Sequence, residues 1–109
     1  MKRRPAILPL ALADIDAIAR YIAQDSPDSA LRFLDAFART IDEIRSFPHL
    51  GRARRYRHPL LKHLRTRPVI GFPNHLVFYQ VPDDQHVLVI RVLHAAMRIQ
   101  PFMLRRDSH

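Results

Sequence analysis

His86-Val87-Leu88-Val89-Ile90-Arg91-Val92-Leu93-His94 is the stretch on which the fold of this chain turns. Between its two histidines every residue except Arg91 is aliphatic, and Val87, Val89, Ile90 and Val92 are β-branched. So short a run, rich in side chains that pack well on a pleated surface, reads as a buried strand rather than a helix. Alternation then sets Val87, Val89, Arg91 and Leu93 on one face and Leu88, Ile90, Val92 and His94 on the other. One guanidinium interrupts an otherwise apolar stripe. Either Arg91 lies near the strand's end and snorkels to water or pairs with an acid of another element, such as Asp14, or it projects into a basic functional surface built with neighbouring strands.

Upstream, Pro82-Asp83-Asp84-Gln85 reads as a turn leading back to a second strand from His75 to Val81. Phe72-Pro73-Asn74 marks another turn, preceded by a strand from Leu64 to Phe72. On that strand Leu64, Thr66, Ile70 and Phe72 share one face, and Arg65, Arg67 and Val69 share the other. Pro68 lacks a backbone donor and assigns the strand to a sheet edge. Three consecutive strands joined by short turns form an antiparallel meander. Before it, Arg52 to His63 is an arginine-rich connector read as loop, entered through Phe47-Pro48-His49-Leu50-Gly51-Arg52.

Earlier still the apolar period changes to that of a helix. Ile15, Ile18, Ala19 and Ile22 predict a first helix from Leu10 to about Gln24. Ser26-Pro27-Asp28 combines a capping hydroxyl, a proline suited to the first helical position and a carboxylate favourable to the helix dipole. A second helix therefore starts there, with Ala30, Leu34, Phe37, Ile41 and Ile44 as its stripe, widened by Leu31, Phe33 and Ala38, until Pro48 stops it. Helices joined so tightly run antiparallel and need an apolar surface, which one face of the meander supplies. Arg3 to Leu8 is a short first strand, confined by Pro5 and Pro9 to an edge. Ala95 to Arg98 suits one helical turn before Pro101 and a basic tail. The expected fold is α+β, an N-terminal strand and an antiparallel helical hairpin packed on a β-meander, in a single domain over residues 1–109.

Composition excludes several classes. Nothing approaches the roughly 20 uninterrupted apolar residues of a membrane helix, and Pro5, Pro9 and Asp14 break what would be the apolar core of a signal peptide. Without cysteine there is neither a disulfide framework nor thiolate chemistry, a metal would need His and carboxylate, and a reducing cytoplasm is the natural compartment. The net charge is +8, unevenly spread. Seven of the ten acids lie between Asp14 and Glu43, whereas Ile44 to Pro82 holds none. That span carries Arg45, Arg52, Arg54, Arg55, Arg57, Lys62, Arg65 and Arg67. A solubilising surface usually mixes signs, so this asymmetry points to a polyanion or an acidic protein partner.

Several segments, in order, resemble the ParE/RelE superfamily of toxins from bacterial toxin–antitoxin modules. Ala11-Leu12-Ala13-Asp14-Ile15-Asp16-Ala17-Ile18-Ala19-Arg20-Tyr21-Ile22 is similar to the first helix of that family. Ser26-Pro27-Asp28-Ser29-Ala30-Leu31-Arg32-Phe33 is similar to the start of its second, and Pro48-His49-Leu50-Gly51-Arg52 to its Pro-x-x-Gly-Arg exit. Leu64-Arg65, Val77-Phe78-Tyr79 and Ile90-Arg91-Val92-Leu93-His94 resemble its sheet strands. The resemblance implies a toxin neutralised by a cognate, ParD-like DNA-binding antitoxin. Hydrophobic residues of the hairpin beside the acid-free cationic span, Ile15, Ile18, Ile22, Phe37 and Ile41 with Arg54 and Arg55, suit an amphipathic acidic segment of that antitoxin. The resemblance implies no cofactor, metal or membrane.

Within the superfamily, RelE-like members cut messenger RNA on the ribosome, while ParE-like members poison DNA gyrase. RNA cleavage through its own 2′-hydroxyl needs a base, a proton donor and cations around the phosphate. Arg65, Arg91 and His94 would form that set here, with His63 a further imidazole. RelE-like tails commonly offer a tyrosine, but Tyr21, Tyr56 and Tyr79 lie upstream and the tail has Phe102. The long hairpin and the Val-Leu-His ending favour the ParE-like branch, with Arg65, Arg67, Arg91, His94 and Arg98 as target-binding residues. A degenerate toxin kept only as a partner is a third reading. One departure stands out: Met97 fits, but Arg98 occupies the place of a usual Asp. That reverses a charge and leaves potency open.

Overall fold

The structure is a computed structural model that describes residues 2–56, 59 and 62–96. β1 (Arg4–Ile7) leads into α1 (Pro9–Asp25), which starts on a proline suited to the first turn and has no side-chain cap. α2 (Pro27–Ser46) starts where its signals place it: Ser26 Oγ accepts from Ser29 N at 3.2 Å, and Asp28 sits in the first turn. A 3-10 turn at Pro48–Leu50 ends the hairpin. The sheet follows as β2 (Arg52–Ala53), β3 (Arg65–Val69), β4 (Phe72–Gln80) and β5 (His86–His94).

The strand order is β1-β5-β4-β3-β2, so β5 has neighbours on both sides. β3, β4 and β5 form the expected antiparallel meander, and β1 adds in parallel to β5 with Arg4 opposite His86 and Ile7 opposite Val89. The outer edge of β1 is blunted by Pro5, which has no N–H to offer. At Arg3 that edge is covered by α2: Arg3 N donates to the Arg45 carbonyl, and Arg45 Nε donates to the Arg3 carbonyl at 2.7 Å. At the opposite edge, β2 pairs with only Thr66 and Arg65 of β3. Pro68 lies beyond the reach of β2, on the open part of β3, where its missing donor is harmless.

Three expectations need correction. The connector read as loop contains β2. The turn between β3 and β4 is Ile70–Gly71 rather than Phe72-Pro73-Asn74, because Gly71 takes φ 78°, which L side chains avoid, and this lets Val69 pair with Phe72. Most consequentially, strict alternation fails in β5. Gln80 pairs with Leu88 and Tyr79 with Val89, but Phe78 pairs with Arg91, leaving Ile90 as an extra, bulged residue. Val87, Val89 and Val92 therefore enter the core beneath the hairpin, while Ile90 and Leu93 join Leu64, Phe78, Leu76 and Tyr56 in a second cluster.

The main core unites Ala11 and Ile15 of α1, Phe33, Ala36, Phe37, Ile41 and Ile44 of α2, and Val69, Val77, Tyr79, Val87, Val89 and Val92 of the sheet. The buried stripe of α2 is rotated from the expected one. Leu31 and Leu34 point outward, and Thr40 is fully buried instead. Its hydroxyl donates to the Ala36 carbonyl and accepts from Ile70 N, so α2 is pinned to the β3–β4 turn with no polar atom left unmatched.

Candidate functional site

Tyr79 organises the passage from hairpin to sheet. Its ring is wholly buried, and its hydroxyl donates to the Pro48 carbonyl at 2.7 Å and accepts from Gly51 N at 3.0 Å. Burial pushes its phenol above the usual tyrosine range, with the Gly51 bond pulling the other way. A Cβ on Gly51 would run into the Tyr79 hydroxyl and ring, so glycine is required by close approach, at an ordinary negative φ of −63°. The Gly51 carbonyl in turn accepts from Arg65 Nη1 at 2.8 Å, and the His49 carbonyl accepts from the same nitrogen. The Pro-x-x-Gly-Arg exit is thus a scaffold that fixes Arg65.

Arg65 forms one wall of a cleft of about 350 Å³ shared with Arg54, Arg55, Tyr56, Lys62 and His63. Two other sheet cations are neutralised. Arg67 pairs with Glu43 of α2 at 2.7 Å. Arg91 grips Asp14 of α1 through two bonds, Nε to Oδ2 at 2.7 Å and Nη2 to Oδ1 at 2.8 Å, with both side chains nearly nine-tenths buried. Asp14 Oδ2 also accepts from Val92 N at 3.0 Å. This bond has a structural logic. The last bond that the β1 side gives to β5 is Leu8 N to the Val89 carbonyl, and Asp14 satisfies the strand donor that lies beyond it.

Arg91 and His94 line a separate cavity of about 320 Å³ with Asp14, Ile18 and His75. His75 was not singled out by the sequence, yet it stands directly opposite His94 with ring centroids 5.4 Å apart. Burial first, and the facing His94 second, hold its imidazole below the ordinary range. His94 Nδ1 accepts from Ala96 N, so a single ring proton would sit on Nε2. The three residues of the ribonuclease set are therefore divided: Arg91 and His94 share one cavity and Arg65 lines another. Among the described residues, no group of three His, Cys, Asp or Glu side chains is placed to hold a metal, and no helix is long and apolar enough to cross a membrane.

The residues expected to meet an antitoxin also divide. Ile15, Phe37 and Ile41 are buried in the core, with no more than 8% of each exposed, so they present little surface to a partner. Ile18 and Ile22 are half-buried at its margin, and Arg54 and Arg55 line the basic cleft. Exposed apolar side chains are instead Leu12, Tyr21, Leu31, Leu34, Phe47 and Leu50. A period of 3.6 identifies a stripe but not its width, so residues flanking it are easily misassigned. Arg98, Phe102 and Met97 lie outside the described residues.

Fold and site together define a class: a small, cationic α+β protein whose helical hairpin covers one face of a five-stranded sheet and which gathers Arg54, Arg55, Lys62 and Arg65 in one cleft. The family described as ParE toxin of type II toxin-antitoxin system, parDE, matches residues 6–99. The chain belongs to that ParE toxin family. Among solved structures it is similar to a chain of the chromosomal ParDE TA system from P. aeruginosa, with a TM-score of 0.65 and 18% identity, covering 85% of this chain and 96% of that one. At that identity the likeness speaks for the fold. A comparison with curated proteins returns no match.

Proposed function

We propose that this chain is the toxin of a toxin–antitoxin pair, that it inhibits DNA gyrase by binding rather than by chemistry of its own, and that a ParD-like, DNA-binding antitoxin neutralises it in the cytoplasm. The observation that carries the proposal is membership of the ParE toxin family over residues 6–99. The geometry agrees with a binding role. Arg65 and Arg91 line different cavities, and Arg91 is engaged by Asp14, so these cations do not converge on one scissile phosphate. Arg65 and His94 remain the best placed for direct target contact, with Arg67 and Arg91 shaping the surface through Glu43 and Asp14.

For the antitoxin, the exposed hairpin residues Leu12, Tyr21, Leu31 and Leu34 provide apolar anchors beside Ile18 and Ile22, and Arg54 and Arg55 suit acidic side chains. Adding purified toxin to a gyrase supercoiling reaction tests the target. Inhibition with accumulation of cleaved DNA is expected. Full supercoiling at excess toxin would overturn the reading, and codon-positioned cuts in translated messages would assign a ribonuclease instead.

A further inference from the structure

Among the described residues Arg54, Arg55, Lys62 and Arg65 form one cluster of cations without a carboxylate partner, joined by Arg52; Arg3, Arg4 and Arg32 also lack one but stand apart from it. Arg20, Arg39, Arg45, Arg67, Arg91 and Lys2 each have a carboxylate within 4 Å. The four cleft cations have none among the described residues, and no acid occurs anywhere from Ile44 to Pro82 to quench them. The guanidiniums of Arg54 and Arg65 are nevertheless held in place. Arg54 Nε donates to Thr66 Oγ1 at 3.0 Å, Arg54 N to the Leu64 carbonyl at 2.8 Å, and Arg65 Nη1 to the Gly51 carbonyl. Gln80 Nε2 fastens the Lys62 carbonyl to β4 at 3.0 Å. The next residue, His63, takes φ 64°, a conformation unfavourable for a residue with a Cβ, and stands exposed at the mouth. A second concavity of about 360 Å³, which shares Arg54, Arg55 and Tyr56 and adds Arg52, continues the groove.

We infer that this groove, lined by Arg52, Arg54, Arg55, Lys62 and Arg65, is a seat for the sugar–phosphate backbone of DNA. Immobilised guanidinium forks with spare N–H groups match phosphate oxygens, and a row of unquenched cations is what a phosphodiester backbone requires. An amphipathic peptide needs apolar anchors as well. Here Leu64 is fully buried, Ala53 is small and Tyr56 is half-buried, so an antitoxin segment finds its apolar anchors on the hairpin and reaches Arg54 and Arg55 only with its acids, in competition with phosphate. The choice of DNA rests on the gyrase reading, because gyrase presents its bound DNA to an inhibitor.

Fluorescence anisotropy with a short labelled duplex, measured over a range of salt without gyrase, tests the inference. Arg55→Gln with Lys62→Gln should weaken binding and lower the slope of log affinity against log salt by about 2, one counterion per lost phosphate contact. Neither side chain makes a bond within the described fold, so melting should be unchanged. Arg20→Gln with Arg39→Gln removes equal charge from the hairpin and should leave the slope alone. Equal losses in both pairs would mean diffuse attraction, and a wild-type chain that ignores the duplex but binds polyglutamate through Arg55 and Lys62 would give the groove to an acidic peptide; either result overturns the assignment. A chain that binds the duplex through the groove but leaves gyrase active keeps this inference and loses the proposed function. Gyrase inhibition that persists with duplex binding unaffected by the groove pair does the reverse.

Discussion

Arg91 shows how much one residue can conceal. From composition it was either a structural arginine or part of a functional surface, and the bidentate bond to Asp14 settles its immediate partner. Removing one member of a buried pair leaves the other charged and desolvated, at a cost of about 3–5 kcal/mol. Arg91→Ala should therefore lower the urea midpoint sharply, with the slope of the transition unchanged. A midpoint equal to wild type, combined with lost toxicity, would return Arg91 to the target surface. Asp14 was legible as a possible partner because it is an acid on the first helix. Its second task, capping Val92 N, was not, because that donor is orphaned only by where β1 stops.

At the scale of elements, the proline and cap signals placed both ends of α2 within a residue or two, since these signals act over a few bonds. The Ile90 bulge had no comparable mark. Carried back without interruption from Gln80 opposite Leu88, the pairing would set His75 against Leu93; the extra residue sets it against His94 and moves Arg91 from opposite Val77 to opposite Phe78. The same applies to the junction between hairpin and sheet. Glycine and proline announced a break at Pro48-His49-Leu50-Gly51, but not that Tyr79, distant in sequence, would bridge it. Tyr79→Phe leaves the Gly51 N–H and the Pro48 carbonyl buried without their partner. The expected loss is about 1–3 kcal/mol, read from thermal or urea unfolding. A loss near zero would show that the junction is held by packing alone.

Over the whole molecule the separation of charge survives folding. Asp16 and Asp35 of the hairpin pair locally with Arg20 and Arg39, and Asp42, Glu43 and Asp14 reach across to Lys2, Arg67 and Arg91, while the groove keeps its cations. A field of one sign accelerates encounter with an acidic partner and is screened by salt. The association rate of the antitoxin should accordingly fall steeply between low and high salt, with a smaller change in dissociation. Stopped-flow mixing measures it, and a rate indifferent to salt would remove the electrostatic part of the proposal.

The fold class, the hairpin, the meander and the acid-free span were determined by the sequence alone, because periodicity, capping and composition are properties of neighbouring residues. Only the tertiary structure decided which cations remain available. Arg67 and Arg91 meet carboxylates brought from the hairpin, whereas Arg54, Arg55, Lys62 and Arg65 face a cleft that no described acid reaches. Whether a charge is paired depends on contacts between elements far apart in the chain, and a single bulged residue in His86–His94 is enough to redirect them.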